Sequence, residues 1–154
     1  MTVQEFQAKQ IENGAAYLAN AVASTLPDRV DWKPSADAKS DTRSALDQVA
    51  ECIGVNTRFA ALLSGQTPPD RTEGHPFANS AEAQEMLKAS AANLASVVRG
   101  MSDDALETSH TLRFGVMTGA QLITLAANNM YYHFGQISYI QTLYGDRDFH
   151  PLPE

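Results

Sequence analysis

The sequence has almost no cysteine, no long apolar run and a shortage of basic residues. Cys52 is the single cysteine, so no disulfide can form within the chain. No stretch approaches the roughly 18 continuous apolar residues of a membrane span. The chain has 11 Lys and Arg residues but 18 Asp and Glu residues. The resulting net charge of −7 disfavours a broad basic surface that would bind phosphate backbones. These absences predict a soluble protein with neither a membrane nor a nucleic acid as its partner.

The N-terminal stretch MTVQEFQAKQ also lacks the basic start and apolar block of a secretion signal. Together with the unpaired cysteine, this predicts a cytoplasmic location. The chain has 154 residues, of which 44% are hydrophobic and 19% charged, enough to bury a core without disulfides or a structural metal. We therefore expect residues 1–154 to form one domain.

Four amphipathic segments account for most of the chain. Apolar residues recur at three- and four-residue spacings, as Ile11, Leu18 and Val22 do in the first segment. Proline or glycine follows the first, third and fourth segments and marks their ends. An N-terminal cap is expected at Ser40 or Asp41 for the second helix and at Ser80 for the third. The predicted helices span about residues 2–25, 41–64, 80–100 and 118–144.

The segments between these helices differ in length and composition. LPDRVDWKPSADAKSD reads as an ordered connector, and SGQTPPDRTEGHPFANS is dense enough in Gly, Pro, Ser and Asn to predict a long crossover. TLRFGVMTG is a short bridge, irregular or briefly extended. No strand-period pattern of any length appears, so the sequence predicts an all-α four-helix bundle with a long crossover connection. The alternative is an irregular all-α domain.

Polar residues interrupt the apolar stripe of the last predicted helix. At about 100° per residue, Asn129, His133 and Gln136 share one stripe with apolar residues on both sides along the helix. An unpaired polar group buried there costs on the order of 1–3 kcal/mol. We therefore expect these three side chains to have partners. The other members of the stripe are Thr118, Leu122, Leu125, Ala126, Ile140 and Leu143.

Asn129 and His133 have the one-turn spacing of paired metal ligands on a helix. Histidine binds Zn, Ni, Cu or Fe well, whereas an Asn carbonyl oxygen is a weak ligand, so an anionic group from another helix is needed. A metal is not required by the pattern, because His133 can also be a core histidine that pairs with a backbone carbonyl or with Gln136.

The second predicted helix offers Gln48, Glu51, Cys52 and Asn56 as partners for this pair. Glu51 is the best hard ligand, and Cys52 is the best soft ligand if its thiol is deprotonated. The alternatives are that Cys52 is a small buried hydrophobe and that Glu51 is a border carboxylate facing water or an arginine.

Three motifs carry a resemblance to a known family. They are DWKP at residues 31–34, the segment SALDQVAECIGVNTRF, and the terminal YYHFGQISYIQTLYG with its His-x-Gly-Gln-Ile pattern. Over nearly the whole chain, the sequence resembles the DinB/YfiT family of metal-dependent bundles. The resemblance implies a four-helix bundle, a homodimer, and a metal held by a helix-two His and an H-x-x-x-H pair on the last helix. His133 matches the second His of the pair, while Asn129 and Glu51 stand where the other two are expected.

The resemblance also implies an activity, because some members of the family are thiol S-transferases or isomerases that use low-molecular-weight thiols. Here we expect a degenerate site that binds a divalent metal (Zn, Ni, Mn or Fe) weakly, or a hydrogen-bonded pocket with no metal. If the site is catalytic, the metal polarises a thiol or a water, as in a transferase or hydrolase. The alternative is a non-catalytic dimer whose pocket binds a small ligand or only satisfies its own polar groups. The predicted metal ligands are Glu51, Asn129 and His133, and the supporting pocket residues are Gln48, Cys52 and Gln136.

Overall fold

Four long helices dominate the computed structural model, which describes residues 1–37 and 39–152. A short helix and a two-stranded hairpin lie between the third and the last long helix. The elements in chain order are α1 (Val3–Ser24), α2 (Ala45–Leu63), α3 (Ser80–Arg99), α4 (Asp103–Glu107), β1 (Ser109–Leu112), β2 (Gly115–Thr118) and α5 (Gly119–Leu143).

The four long helices pack around one apolar core. α1 contacts α3 and α5 along its length, α2 contacts the same two helices, and α1 and α2 touch each other little. Leu18, Leu94 and Met130 are fully buried at the centre. The predicted all-α four-helix bundle is therefore confirmed, with residues 64–79 as the long crossover between α2 and α3. In the part of the chain that the structure describes, no helix is long and apolar enough to cross a membrane.

Most helix ends lie close to the predicted positions. α1 and α5 each begin and end within one residue of the predicted ranges 2–25 and 118–144. α3 ends before Gly100 as predicted, but its cap is Asn79 and not Ser80. The side-chain oxygen of Asn79 accepts a hydrogen bond from the Glu82 backbone N–H at 3.0 Å, which satisfies a free donor of the first turn.

The predicted start of the second helix is wrong by about four residues. Ser44 caps α2, and neither Ser40 nor Asp41 does. The Ser44 hydroxyl accepts a hydrogen bond from the Asp47 N–H at 3.1 Å, and the Asp47 carboxylate accepts one from the Ser44 N–H at 3.2 Å. This reciprocal pair needs an acceptor three residues after the cap, and Ser40 is followed at that distance by the cation Arg43.

Both long connections meet at one carboxylate, that of Asp31 in the connector between α1 and α2. Its Oδ1 accepts a hydrogen bond from the Ser44 hydroxyl at 2.9 Å. The same oxygen lies 3.1 Å from Nε2 of His75 in the crossover, and the His75 ring stacks on Phe77. The start of α2, the connector and the crossover are thereby joined.

We predict that Ser44→Ala will lower the free energy of unfolding by about 1–2 kcal/mol. The substitution removes the cap of α2 and leaves Asp31 without a hydrogen bond from a hydroxyl that is fully buried. Thr2→Ala is the matched control, because Thr2 caps α1 at an exposed chain end through one hydrogen bond to the Glu5 N–H. Urea unfolding should show a smaller loss for Thr2→Ala, and equal losses would contradict the role of Asp31.

The bridge before the last helix is a small hairpin, so the extended alternative was the right one. β1 and β2 pair antiparallel from Ser109 opposite Thr118 to Leu112 opposite Gly115. Gly115 has φ of 143°, a conformation that favours glycine at this tight turn. Strands of four residues are too short to show a clear period in the sequence, and the one-turn helix α4 carries no periodic signal either.

Candidate functional site

The buried face of α5 is rotated relative to the predicted stripe. Met130 and Ile137 lie on its fully buried centre line, whereas Asn129 and Gln136 are half-buried and Leu143 is 48% exposed. α5 packs against both α1 and α2, so its buried face is set by two neighbours and not by one. Among the three polar residues of the stripe, His133 alone is buried, with 2% of its surface exposed.

His133 is held from the side of α2. Its Nδ1 lies 3.0 Å from Oε1 of the buried Gln48, and the Gln48 amide Nε2 donates to the Arg43 backbone carbonyl at 3.5 Å. Since Oε1 can only accept, Nδ1 of His133 is the donor and carries the ring proton. Nε2 of His133 is therefore an acceptor, and it is buried without a hydrogen-bond partner.

Glu51 faces this free nitrogen. Its Oε2 lies 3.7 Å from Nε2 of His133 and forms an ion pair with the Arg43 guanidinium. Arg43 also lies 3.6 Å from the exposed Asp41 carboxylate. Glu51 is thus a border carboxylate that faces an arginine, which was one of its two predicted roles.

The charge state of His133 follows from its surroundings. Burial lowers the pKa of His133, the contact with Gln136 raises it and the positive charge of Arg43 lowers it, and together they bring it from the usual 6.5 to about 4. His133 is therefore neutral at pH 7, with the lone pair of Nε2 available to a donor.

Asn129 and Cys52 pair with each other across the α2 and α5 contact. The Asn129 amide donates to Cys52 Sγ at 3.5 Å, and Sγ lies 4.0 Å from the Asn129 backbone carbonyl oxygen. Burial raises the pKa of the Cys52 thiol, so the thiol stays protonated and is a poor metal ligand or nucleophile. Cys52 is therefore a small buried hydrophobe, as the alternative prediction stated. Neither Cys52 nor Asn129 lines the cleft between α2 and α5.

A cleft of about 450 Å³ opens between the connector, α2 and α5. His133, Gln48, Glu51 and Gln136 form its polar floor, and exposed aromatic rings stand at its rim. This combination of a few convergent polar groups with apolar walls is typical of small-molecule sites. The remaining wall residues are Pro34, Asp41, Thr42, Arg43, Tyr132, Tyr139 and Ile140.

The residues present do not fit a three-ligand metal centre. Within residues 1–37 and 39–152, no group of three His, Cys, Asp or Glu side chains is placed to hold a metal. Of the predicted set, Glu51 is ion-paired with Arg43, and Asn129 donates through its amide nitrogen to Cys52 and does not line the cleft. His133 Nε2 is a ligand atom without a hydrogen-bond partner, and the predicted metal site stays a prediction.

A helical bundle with a polar cleft between its second and last long helices is the class of protein that these observations define. The sequence model of the DinB superfamily matches residues 10–137. The chain therefore belongs to the DinB superfamily, and the resemblance noted from its motifs is confirmed.

Solved structures agree on the fold. A conserved protein from Enterococcus faecalis superimposes with a TM-score of 0.74 at 15% identity, over 95% of this chain and 99% of the other. A DinB-like protein from Bacillus subtilis superimposes with a TM-score of 0.66 at 16% identity, over 99% and 100% of the two chains. None of the curated proteins matches the sequence. At such identities the likeness shows a shared fold and no shared activity.

Sequence reasoning missed Arg43 and the rim tyrosines Tyr132 and Tyr139. Arg43 precedes the cap of α2, so no helical periodicity relates it to Glu51. The only signal was charge complementarity between the connector and the second helix. The tyrosines carried a signal, because they lie seven residues apart on α5, but that spacing equally fits subunit packing.

Proposed function

We propose that this DinB-superfamily protein binds a small organic molecule in the cleft between α2 and α5, without a metal. One observation carries the proposal: His133, which lines the cleft, has a buried acceptor atom, Nε2, without a hydrogen-bond partner. Buried polar atoms in native proteins nearly always have a partner. A ligand that brings a hydrogen-bond donor to this wall satisfies this nitrogen.

The rim supports an organic ligand and not an inorganic ion alone. Tyr132 and Tyr139 are more than 60% exposed at the mouth of the cleft, and Ile140 lines the wall below them. Burial of apolar ligand surface against such side chains contributes about 25 cal/mol per Å². The floor would orient the ligand, and the rim would supply much of its affinity.

The competing function is a metal-dependent thiol S-transferase of the kind found elsewhere in the family. It is supported by superfamily membership and by the proximity of Glu51 and His133, which are both competent ligands for a divalent ion. The ion pair of Glu51 with Arg43 weighs against it, because a metal would have to compete with a cation already present.

Two further properties stay predictions. The homodimer would be tested by equilibrium sedimentation, and a single monomeric species at high concentration would contradict it. The cytoplasmic location would be tested by cell fractionation.

A fragment screen by saturation-transfer NMR tests whether the cleft binds organic molecules. Fragments with a hydrogen-bond donor should bind the wild type and lose binding in His133→Ala, because the substitution removes Nε2 from the floor. His110→Ala is the matched control, since His110 lies on β1 outside the cleft wall. Absence of binding fragments, or equal binding to wild type and His133→Ala, would overturn the proposal.

Calorimetric titration of zinc chloride into protein purified without a metal-affinity tag separates the two functions. We expect no stoichiometric binding at pH 7, because the site offers two anchoring groups, one of which is ion-paired. One-to-one zinc binding that disappears in His133→Ala but persists in His110→Ala would favour the metal-dependent enzyme.

A further inference from the structure

We infer that the cleft selects a ligand with an uncharged hydroxyl on an apolar body, and that Gln48 sets this selectivity by fixing which nitrogen of His133 accepts. This selectivity rests on the proposed function, because it concerns the ligand of the same cleft. It follows from the hydrogen bonds of Gln48, from the balanced charges of the wall and from the aromatic rim.

The Gln48 side chain is held on both sides of its amide. Gln48 is buried, with 2% of its surface exposed. Its Nε2 donates to the Arg43 backbone carbonyl at 3.5 Å, and its Oε1 lies 3.0 Å from Nδ1 of His133. A flipped amide would place its oxygen against the carbonyl oxygen, and two acceptors cannot form a hydrogen bond. The Arg43 carbonyl therefore keeps Oε1 directed at the imidazole.

This orientation decides the tautomer of His133. The buried ring is neutral at pH 7, so one of its nitrogens carries a proton and the other accepts. Oε1 of Gln48 can only accept, which places the proton on Nδ1. Nε2 keeps its lone pair and is buried without a hydrogen-bond partner. His133 thus presents the cleft with one uncharged acceptor, and a ligand with one hydrogen-bond donor matches it.

The charges of the wall disfavour an ionic ligand of either sign. Arg43 and Glu51 form an ion pair, so neither side chain is free to pair with a charged ligand. The Asp41 carboxylate lies 3.6 Å from Arg43 and is 91% exposed, so water screens its charge. An ion buried without a counter-ion costs far more free energy than a hydroxyl buried with a hydrogen bond. An uncharged donor is therefore the head group that suits His133.

The rim fits an apolar or aromatic body attached to this head group. The Tyr132 ring is edge-on to His133 with centroids 5.1 Å apart, and Tyr139 follows seven residues later on the same helix. Both side chains are more than 60% exposed, and exposed side chains change rotamer within nanoseconds. They can therefore turn aside to admit a ligand and then pack against its ring. A phenyl group two carbons from the hydroxyl suits a cleft of about 450 Å³.

Four probes with the same body and different heads test the ligand class. They are 2-phenylethanol, its methyl ether, 2-phenylethylamine and phenylacetate. Their dissociation constants for the full chain would be measured at pH 7 by NMR chemical-shift titration. We expect 2-phenylethanol to bind about fivefold more tightly than its ether, the usual effect of one hydrogen bond, because the ether cannot donate. The ammonium and carboxylate probes should both bind more weakly than the alcohol.

Gln48→Met tests the positioning role, because methionine has a similar length and lacks the oxygen that accepts from Nδ1. The proton of His133 is then free to move to Nε2, where it blocks the acceptor. Nitrogen-15 chemical shifts of the imidazole distinguish a protonated nitrogen from a bare one. We expect the wild type to carry its proton on Nδ1. The variant should gain the Nε2-protonated form and lose the preference for the alcohol over the ether.

Gln141→Met is the matched control for this substitution. Gln141 is also buried, but its amide donates to the Ala21 carbonyl and to the Thr25 hydroxyl, and it lies outside the cleft wall. Its replacement should leave both the tautomer of His133 and the preference among the probes unchanged.

The outcomes separate the ligand class from the proposed function. Equal binding of alcohol and ether, or tighter binding of either ion, would overturn the uncharged donor while cleft binding itself would stand. If donor fragments bind the cleft and none of the four probes does, the ligand class also fails alone. A proton on Nε2 in the wild type, or an unchanged tautomer in Gln48→Met, would overturn the role of Gln48. If no fragment binds, the proposed function fails and the ligand class fails with it.

Discussion

Replacing Gly119 by alanine will lower the free energy of unfolding by about 1–3 kcal/mol, the usual cost of overpacking. A Cβ at this position would lie 2.5 Å from the backbone oxygen of Ala105, 3.3 Å from that of Leu106 and 3.2 Å from the Met101 side chain. Backbone oxygens cannot move aside as a flexible side chain can. The junction of α4 with the start of α5 therefore has to shift.

Gly135→Ala, in the same helix, is expected to have the opposite effect. Gly135 is exposed, and a Cβ there would meet nothing within 4 Å. Alanine should raise the free energy of unfolding by roughly 0.5–1 kcal/mol, because glycine is a poor helix former at an interior position. Urea unfolding of both variants and the wild type at low protein concentration measures the two changes in the free energy of unfolding.

Two outcomes would contradict these expectations. A neutral Gly119→Ala would mean that α4 is not packed against α5 as described. A destabilising Gly135→Ala would mean that this exposed face of α5 is covered by something else, such as a second copy of the chain.

The free energy of unfolding will also fall by roughly 3 kcal/mol between about pH 6.5 and pH 4 through His133 alone. The pKa of His133 is lowered from 6.5 to about 4 by burial. Between these values the unfolded chain binds a proton that the folded chain excludes, so protons favour unfolding. The contribution of the neutral histidine is complete above pH 6.5 and is lost as the pH falls towards 4.

His133→Gln isolates this contribution, because glutamine keeps a polar side chain and does not titrate. Unfolding free energies of the two proteins would be measured by urea denaturation from pH 4 to pH 8. The difference between them should be constant above pH 7 and should move in favour of the variant as the pH falls. Carboxylates with lowered pKa values, such as those of Glu12 and Asp47, affect both proteins alike. Parallel curves across the range would show that His133 is not kept neutral by the fold.

The fold was predictable from local signals because the four long helices are amphipathic and their ends carry strong stop residues. Gly100 and Gly145 mark the ends of α3 and α5 within two residues. The start of α2 was missed because several candidate caps follow one another, and the deciding feature is the acid at Asp47 three residues after Ser44. The hairpin was too short to produce a period.

The site was predictable only in part, since a helical stripe gives the residues of a face but not its rotation within a bundle. Glu51 and His133 face each other as the sequence indicated. Asn129 lies far enough round α5 to engage Cys52 instead. The cation beside Glu51 is Arg43 of the connector. A loop and a helix share no periodicity, so the local sequence gives no sign of a contact between them.

The pairing of Asp31 with Ser44 and His75 fixes the connector to the start of α2 and to the crossover. The acceptors of the cleft belong to the helices, whereas Arg43 and Asp41 belong to this anchored connector. A chain with the same helices and a different connector would keep Glu51 and His133 in place and change the charge beside them. The charge of the cleft wall can therefore change in evolution through the connector, while the helices that form the core stay the same.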